Sequence, residues 1–110
     1  MRIDFYYFED CPSHGRALER LRQVMEEEDV RFEVHVTEVV SEEQARELRF
    51  VGSPTIRFEG EDIVSPGDEP YRLTCRVYRL SDGRVSPLPD PESIRQALRN
   101  ALAAARRTGR

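Results

Sequence analysis

Residues 3–25, IDFYYFEDCPSHGRALERLRQVM, contain a short aromatic strand that is followed within a few positions by an amphipathic helix. The strand Ile3–Phe8 is rich in strand-forming side chains and is apolar on both faces except at Asp4, which predicts a central strand covered on both sides. The apolar residues of the helix recur at three- and four-residue steps and are Leu18, Leu21, Val24 and Met25. Pro12 suits the first helical position, so Cys11 is predicted at or beside the helix N-cap.

A strand with one polar face follows in residues 30–39, VRFEVHVTEV, where apolar and polar side chains alternate. Such a strand is expected at the edge of a sheet, and His35 on its polar face is expected to be a surface histidine. Ser41 and Gln44 then form a capping-box signature, which predicts the start of a short helix. That helix is expected to end near Gly52.

The second half of the chain predicts two more strands and a closing helix. The third strand begins at Thr55, directly after a proline that cannot donate a hydrogen bond to a sheet. Residues 59–70, EGEDIVSPGDEP, are expected to form a loop, and Tyr71–Leu80 to form the fourth strand. Residues 90–105 carry a capping aspartate, a proline at the first helical position and an apolar stripe, which predicts the last helix.

Length and composition indicate one globular domain. The chain has 110 residues, of which 38% are hydrophobic and 35% charged, and its net charge of -4 argues against broad binding to nucleic acid or to anionic membranes. No stretch approaches the roughly 18 apolar residues of a membrane span, and no signal peptide is recognisable. Residues 1–104 are expected to form the domain and residues 105–110 a basic tail. Two cysteines do not make a disulfide framework, so the cytoplasm is the expected location.

The predicted element order is β-α-β-α-β-β-α, which indicates an α/β fold. A right-handed crossover makes the first two strands parallel neighbours. The two helices with long apolar stripes are expected on one face of a four-stranded mixed sheet, and the short middle helix on the other face.

Three features of the sequence resemble the thioredoxin-like superfamily. FEDCP, residues 8–12, places Cys11 after the first strand and at the head of the first helix. GSPT, residues 52–55, places Pro54 directly before the third strand, and the element order is the minimal thioredoxin order. The sequence is also similar to a group of small bacterial thioredoxin-family proteins, some of which carry alkylmercury-lyase-like labels.

The resemblance implies a minimal thioredoxin-like fold in which Cys11 is the reactive thiol and faces a cis proline at position 54. It further implies that Pro12, Ser53, Pro54 and Thr55 contact the substrate. In particular, the backbone N–H and C=O of Ser53 are expected to pair with an extended thiol partner.

The reactivity of Cys11 depends on its neighbours. Only about 3% of an ordinary thiol is ionised at neutral pH, but a helix N-terminus lowers a thiol pKa, and His14 can add a charge or a proton-transfer partner. Glu9 and Asp10 act in the opposite direction, and screening makes their effect small if they are exposed. We therefore expect a moderately reactive thiol. His14 stands where dithiol enzymes have their second cysteine, so the resemblance implies a monothiol mechanism.

Cys75 is predicted to be a core residue and not a resolving thiol. If Tyr71–Leu80 is a strand, Cys75 shares a face with Leu73 and Val77 and lies about 16 Å from the strand end near Cys11. A disulfide needs Cα atoms less than about 7 Å apart. The sequence therefore predicts that Cys11 acts without a second thiol from this chain.

Three functional hypotheses remain open. The first is a monothiol oxidoreductase with Cys11 and His14 as catalytic residues, a protein or small-molecule thiol or disulfide as partner, and glutathione as a candidate co-substrate. The second is a binding module or a protein that handles organomercurials or soft metals on the same fold, and the third is a fold used only for protein association. No cofactor is expected, and no resident metal, because a cysteine and a histidine three residues apart do not complete a zinc site.

Overall fold

The computed structural model describes residues 2–64, 67–80 and 82–107. Its helices are α1 (His14–Glu27), α2 (Glu42–Leu48) and α3 (Pro91–Arg107). Its strands are β1 (Arg2–Tyr7), β2 (Glu33–Glu38), β3 (Thr55–Phe58), β4 (Glu61–Asp62), β5 (Tyr78–Arg79) and β6 (Val85–Ser86). Within those ranges, no helix combines the length and the apolar character needed to cross a membrane.

Four strands form a mixed sheet in the order β2-β1-β3-β4. β1 and β2 are parallel, with Ile3 opposite Val34, whereas β3 is antiparallel to both β1 and β4. β1 and β2 are parallel neighbours, as expected for strands that are joined by a crossover. β2 lies at the edge of the sheet, as its alternating pattern predicted. The α/β class and the four-stranded mixed sheet are confirmed.

Helices cover both faces of this sheet, as predicted. One core cluster joins β1 and β3 to α1 and α3, and its buried members include Ile3, Phe5, Ala17, Leu21, Val24, Ile56, Phe58, Ile94 and Leu98. A second cluster lies under α2 and contains Tyr6, Val39, Ala45 and Phe50. Because successive side chains of a strand point to opposite faces, Phe5 enters the first cluster and Tyr6 the second.

The N-cap of α2 forms at Ser41, as the sequence predicted. The Ser41 hydroxyl accepts a hydrogen bond from the N–H of Gln44 at 3.0 Å, and the Gln44 side chain accepts one from the N–H of Val40 at 2.9 Å. The helix ends at Leu48, earlier than predicted, because Arg49 adopts the left-handed conformation with a φ of 56°.

Two predicted boundaries are wrong. α1 begins at His14 with Ser13 as its N-cap, so Pro12 precedes the helix and does not occupy its first position. Cys11 lies two residues before the N-cap, and not at or beside it as predicted. The reason is a turn in which the N–H of Cys11 donates to the carbonyl of Phe8 at 2.9 Å, before the helical hydrogen bonds begin. At the other end of the chain α3 continues to Arg107, past the predicted end of this helix at residue 105, and residues 108–110 of the predicted tail lie outside the described residues.

The predicted fourth strand, Tyr71–Leu80, is also wrong. The fourth strand of the sheet is β4, in the region predicted to be a loop, and it pairs with β3 across a turn at Glu59 and Gly60. These two residues have φ values of 51° and 86°, which suit a tight two-residue hairpin that brings the chain straight back along β3. Most of Tyr71–Leu80 is therefore irregular, with one isolated bridge between Cys75 and Ser53 and a short β5–β6 hairpin that precedes α3.

Candidate functional site

The loop between α2 and β3 forms the base of the candidate site. Its Ser53–Pro54 peptide bond is cis, as the resemblance implies. Gly52, Ser53, Pro54 and Thr55 are all buried, and the Thr55 hydroxyl donates to the carbonyl of Gly52 at 2.6 Å. The Tyr78 hydroxyl donates to the carbonyl of Pro54. These contacts hold the loop in one conformation.

Cys11 lies at the strand-to-helix junction and faces this loop. Its thiol donates to the carbonyl oxygen of Ser53 at 3.4 Å. Cys11 is fully buried, with 0% of its surface exposed. A partner sulfur can therefore reach Cys11 only if whatever covers it moves or reacts first.

Cys75 lies beside Cys11, and the prediction that it is a distant core residue is wrong. Cys75 is exposed and forms an isolated parallel bridge with Ser53. The N–H of Ser53 donates to the carbonyl of Thr74 at 2.8 Å, and the carbonyl of Ser53 accepts from the N–H of Arg76 at 2.9 Å. The physical reason for the error is that this segment does not continue the sheet: β4 pairs with β3 in its place, and the segment docks on the loop before β3.

The Cys11 thiol affects the ionisation of Cys75. The hydrogen bond with Cys11, followed by burial and by the charge of Cys11, raises the pKa of Cys75 to about 11. Cys75 therefore keeps its proton at neutral pH and acts as the donor in this contact. A thiol that was expected to act alone has a second thiol as its neighbour.

The backbone of Ser53 is already paired within the chain. Its N–H and C=O, which the resemblance assigns to an extended partner, bond to Thr74 and Arg76. An external backbone would have to displace these two residues to use the same groups. The Ser53 hydroxyl is buried and has no hydrogen-bond partner among the residues that the structure describes.

His14 contacts a carboxylate and a tyrosine. Its ring stacks on Tyr7 with 4.6 Å between ring centroids, and its Nε2 lies 3.9 Å from a carboxylate oxygen of Glu9. Within the described ranges, neither a hydrogen bond nor an ion pair joins His14 to Cys11. Pro12 is exposed next to this group. The structure thus brings together Cys11, the loop before β3 and Cys75, with His14 and Pro12 at the margin.

Arg76 anchors the segment that carries Cys75, and sequence reasoning missed it. Its guanidinium lies 2.8 Å from a carboxylate oxygen of Asp62, donates to the carbonyl of Val64 at 2.7 Å and stacks over the ring of Tyr78 at 4.6 Å. Only 8% of the Arg76 side chain and 10% of the Asp62 side chain is exposed. Nothing in the sequence distinguishes this arginine from the other basic residues, all of which are arginine.

Gly52 lets the Cys75 segment approach the loop closely. Its φ of 143° is one that residues with side chains rarely adopt. A Cβ atom at this position would lie 2.9 Å from both the Cβ and the backbone nitrogen of Arg76. The glycine of the GSPT motif indicated a special backbone position. The sequence did not indicate that Arg76 is the residue that packs against it.

No protein-family model matches this chain, and comparisons with curated proteins and with solved structures find no match either. Among the described residues, no group of three or more His, Cys, Asp and Glu side chains is arranged to hold a metal ion. The function is therefore inferred from the geometry of the two thiols and from the motif resemblance.

Proposed function

We propose that this protein is a thioredoxin-like thiol–disulfide oxidoreductase that acts through Cys11 on disulfides or mixed disulfides. The observation that carries the proposal is the position of the Cys11 thiol, 3.4 Å from the Ser53 carbonyl and in contact with a second thiol. The proposed partners are protein or small-molecule thiols and disulfides, with glutathione as co-substrate. The proposed location is the cytoplasm, where both cysteines would start as thiols.

The start of α1 lies close to Cys11. α1 starts three positions after Cys11 and has 14 residues, and the N–H groups of its first turn give that end a partial positive charge. A thiolate at Cys11 would also accept the hydrogen bond that Cys75 donates. Thiolates, not thiols, attack disulfide sulfur, so both features support exchange at this residue.

The proposed part of His14 is electrostatic. Its ring belongs to the first residue of α1, where a positive charge would add to the field at the helix start, and Glu9 at 3.9 Å offsets part of that charge. The proposal therefore assigns Cys11 the bond-making step and His14 a tuning effect, so loss of His14 should slow turnover without abolishing it.

A coupled assay tests the proposal. Reduction of a small mixed disulfide by glutathione is followed through NADPH consumption by glutathione reductase, with wild type, Cys11→Ser and the matched control Ala103→Ser on the exposed side of α3. We expect turnover in the wild type and in the control, and a fall to the uncatalysed background in Cys11→Ser. Equal turnover in Cys11→Ser, or none in the wild type with small and protein disulfides, would exclude the proposal.

A second candidate function is supported by the thiol contact itself. Two neighbouring thiols offer the soft ligands that mercury and similar cations prefer, so the chain is also a candidate for binding a soft metal or an organomercurial without redox turnover. Titration with mercury(II), read as the loss of free thiols per protein, tests binding. Product analysis with an organomercurial then separates binding alone from cleavage of the carbon–mercury bond.

A further inference from the structure

We propose that Cys11 and Cys75 form a reversible disulfide within the chain, and that the exposed Cys75 is the sulfur at which outside thiols and disulfides react. This inference rests on the proposed function, because it names the second thiol of the same site. It is nevertheless testable separately, because formation of the bond can be measured without any turnover.

The backbone contacts place both cysteines next to the carbonyl oxygen of Ser53. The carbonyl oxygen of Ser53 accepts a hydrogen bond from the Cys11 thiol at 3.4 Å and another from the N–H of Arg76 at 2.9 Å. Two donors that share one oxygen are necessarily close together, and Arg76 directly follows Cys75. The bridge between Ser53 and Cys75 completes the arrangement, and the raised pKa of Cys75, caused first by Cys11, agrees with this proximity.

The segment that carries Cys75 is held against the loop by buried contacts. The N–H of Ser53 bonds to Thr74 and its C=O bonds to Arg76, on either side of Cys75. The side chain of Arg76 is in turn fixed by the buried carboxylate of Asp62 at 2.8 Å. Because both thiols are already held side by side, the bond can form without a search through open conformations.

The two sulfurs differ in accessibility, and this sets the order of events. Cys11 has no exposed surface, whereas Cys75 is exposed. A thiol or disulfide from solution therefore meets Cys75 first. Cys11, at the start of α1, is placed to react with Cys75 and not directly with the outside molecule.

The exchange balances with a small disulfide, RSSR, as the oxidant. Cys75 gives its proton to a base in the solvent and attacks one sulfur of RSSR, which forms a mixed disulfide on Cys75 and releases RS⁻, and this thiolate takes up a proton from the solvent to become RSH. The Cys11 thiol then loses its proton and attacks the Cys75 sulfur, which forms the Cys11–Cys75 disulfide and releases the second RSH. Two protein thiols are oxidised and one disulfide is reduced to two thiols.

The reverse direction follows the same path. An outside thiolate attacks the exposed sulfur of Cys75 in the internal disulfide, and the Cys11 thiolate leaves. Positive dipole character at the start of α1 stabilises that leaving group, which favours attack at Cys75 over attack at Cys11.

The first experiment maps the bond in the wild-type chain. The protein is equilibrated with mixtures of reduced and oxidised glutathione, quenched with acid, blocked with N-ethylmaleimide and digested with trypsin without reduction. We expect both thiols to disappear together in a monomer, with the fragment of residues 3–16 linked to the fragment of residues 73–76. An oxidised wild type that carries glutathione on separate cysteines, or that forms only disulfide-linked dimers, would overturn the inference.

The second experiment tests the order of reaction with single-cysteine variants. With oxidised glutathione, Cys11→Ser should accumulate one glutathione adduct on Cys75, and Cys75→Ser should form its adduct on the buried Cys11 at least about tenfold more slowly. Circular dichroism confirms that each variant is folded. If Cys11→Ser does not fold, Cys11→Ala replaces it, and the wild-type fragment map decides the pairing in either case. Equal rates in the two variants would refute entry at Cys75.

The results separate this inference from the proposed function. If the internal disulfide forms but the coupled assay shows no turnover, the oxidoreductase proposal fails while the cysteine pair stands. If turnover requires Cys11 and stays within about twofold of wild type in Cys75→Ser, the oxidoreductase proposal stands and the pair is refuted.

Discussion

Removal of Cys11 should make the Cys75 thiol more acidic and more reactive. In the wild type the hydrogen bond with Cys11, then burial, then the charge of Cys11 raise the pKa of Cys75 from its ordinary value of 9.0 to about 11. Iodoacetamide reacts with the thiolate. A rise of this size therefore lowers the alkylation rate of Cys75 at neutral pH about a hundredfold relative to an ordinary cysteine.

Cys11→Ala removes the first and the third of these causes and leaves only burial. We therefore expect alkylation of Cys75 at pH 8 to accelerate by at least about tenfold. The midpoint of its pH profile should move from about 11 towards 9.0. The assay measures alkylation of the tryptic fragment of residues 73–76 by mass spectrometry across this pH range, so that reaction at Cys11 does not contribute.

As a control, the wild type and Cys11→Ala are both alkylated in concentrated urea. Both proteins are then unfolded, so Cys75 should react at the same rate in each. If the folded variant and the folded wild type alkylate Cys75 at the same rate and with the same midpoint, the two thiols do not interact. That result would contradict both the proposed Cys11–Cys75 disulfide and the raised pKa of Cys75.

Three further predictions concern the free energy of unfolding, measured by urea denaturation. Arg76→Met leaves a buried carboxylate without its partner and should cost about 3–5 kcal/mol, whereas Arg84→Met, in an exposed pair, should cost less than about 1 kcal/mol; equal losses would contradict the difference in burial. Gly52→Ala places a Cβ 2.9 Å from Arg76 at a φ of 143° and should destabilise by more than about 1 kcal/mol, whereas Gly15→Ala, with open space around it in α1, should stabilise by up to about 1 kcal/mol. Between pH 9 and pH 11 the unfolded chain loses the Cys75 proton first, so wild-type stability should fall as the pH rises, and Cys75→Ala should reduce this fall; parallel pH profiles would show that the folded thiol has no raised pKa.

The elements before residue 50 could be predicted because their signals are local. The three- and four-residue spacing in α1, the alternation in β2 and the capping box at Ser41 each depend on residues within a few positions of one another. A right-handed crossover then fixes the parallel pairing of β1 with β2 without any knowledge of distant contacts. The same local signals placed Cys11 at the strand-to-helix junction, where the structure has it.

The pairing of β4 could not be predicted in this way. Tyr71–Leu80 alternates like a strand, but a strand forms only where a sheet edge is free to pair with it. In the structure the short β4 occupies that edge of β3, because positive φ values at Glu59 and Gly60 turn the chain back at once. Glu-Gly is not one of the strongest hairpin signals. From the sequence pattern alone, Tyr71–Leu80 was therefore the stronger candidate for the fourth strand.

The position of Cys75 follows from this displacement and from contacts between residues far apart in the chain. Once its segment is excluded from the sheet, it docks where Gly52 leaves room for a second backbone and where the N–H and C=O of Ser53 need partners. The buried pairing of Arg76 with Asp62 then keeps it there. An unpaired buried backbone group costs free energy, so the same contacts that satisfy Ser53 also hold Cys75 against Cys11. The loop that contains Pro54 binds a backbone segment of this chain in place of a partner's backbone. Because Cys75 belongs to that segment, the second thiol lies next to Cys11.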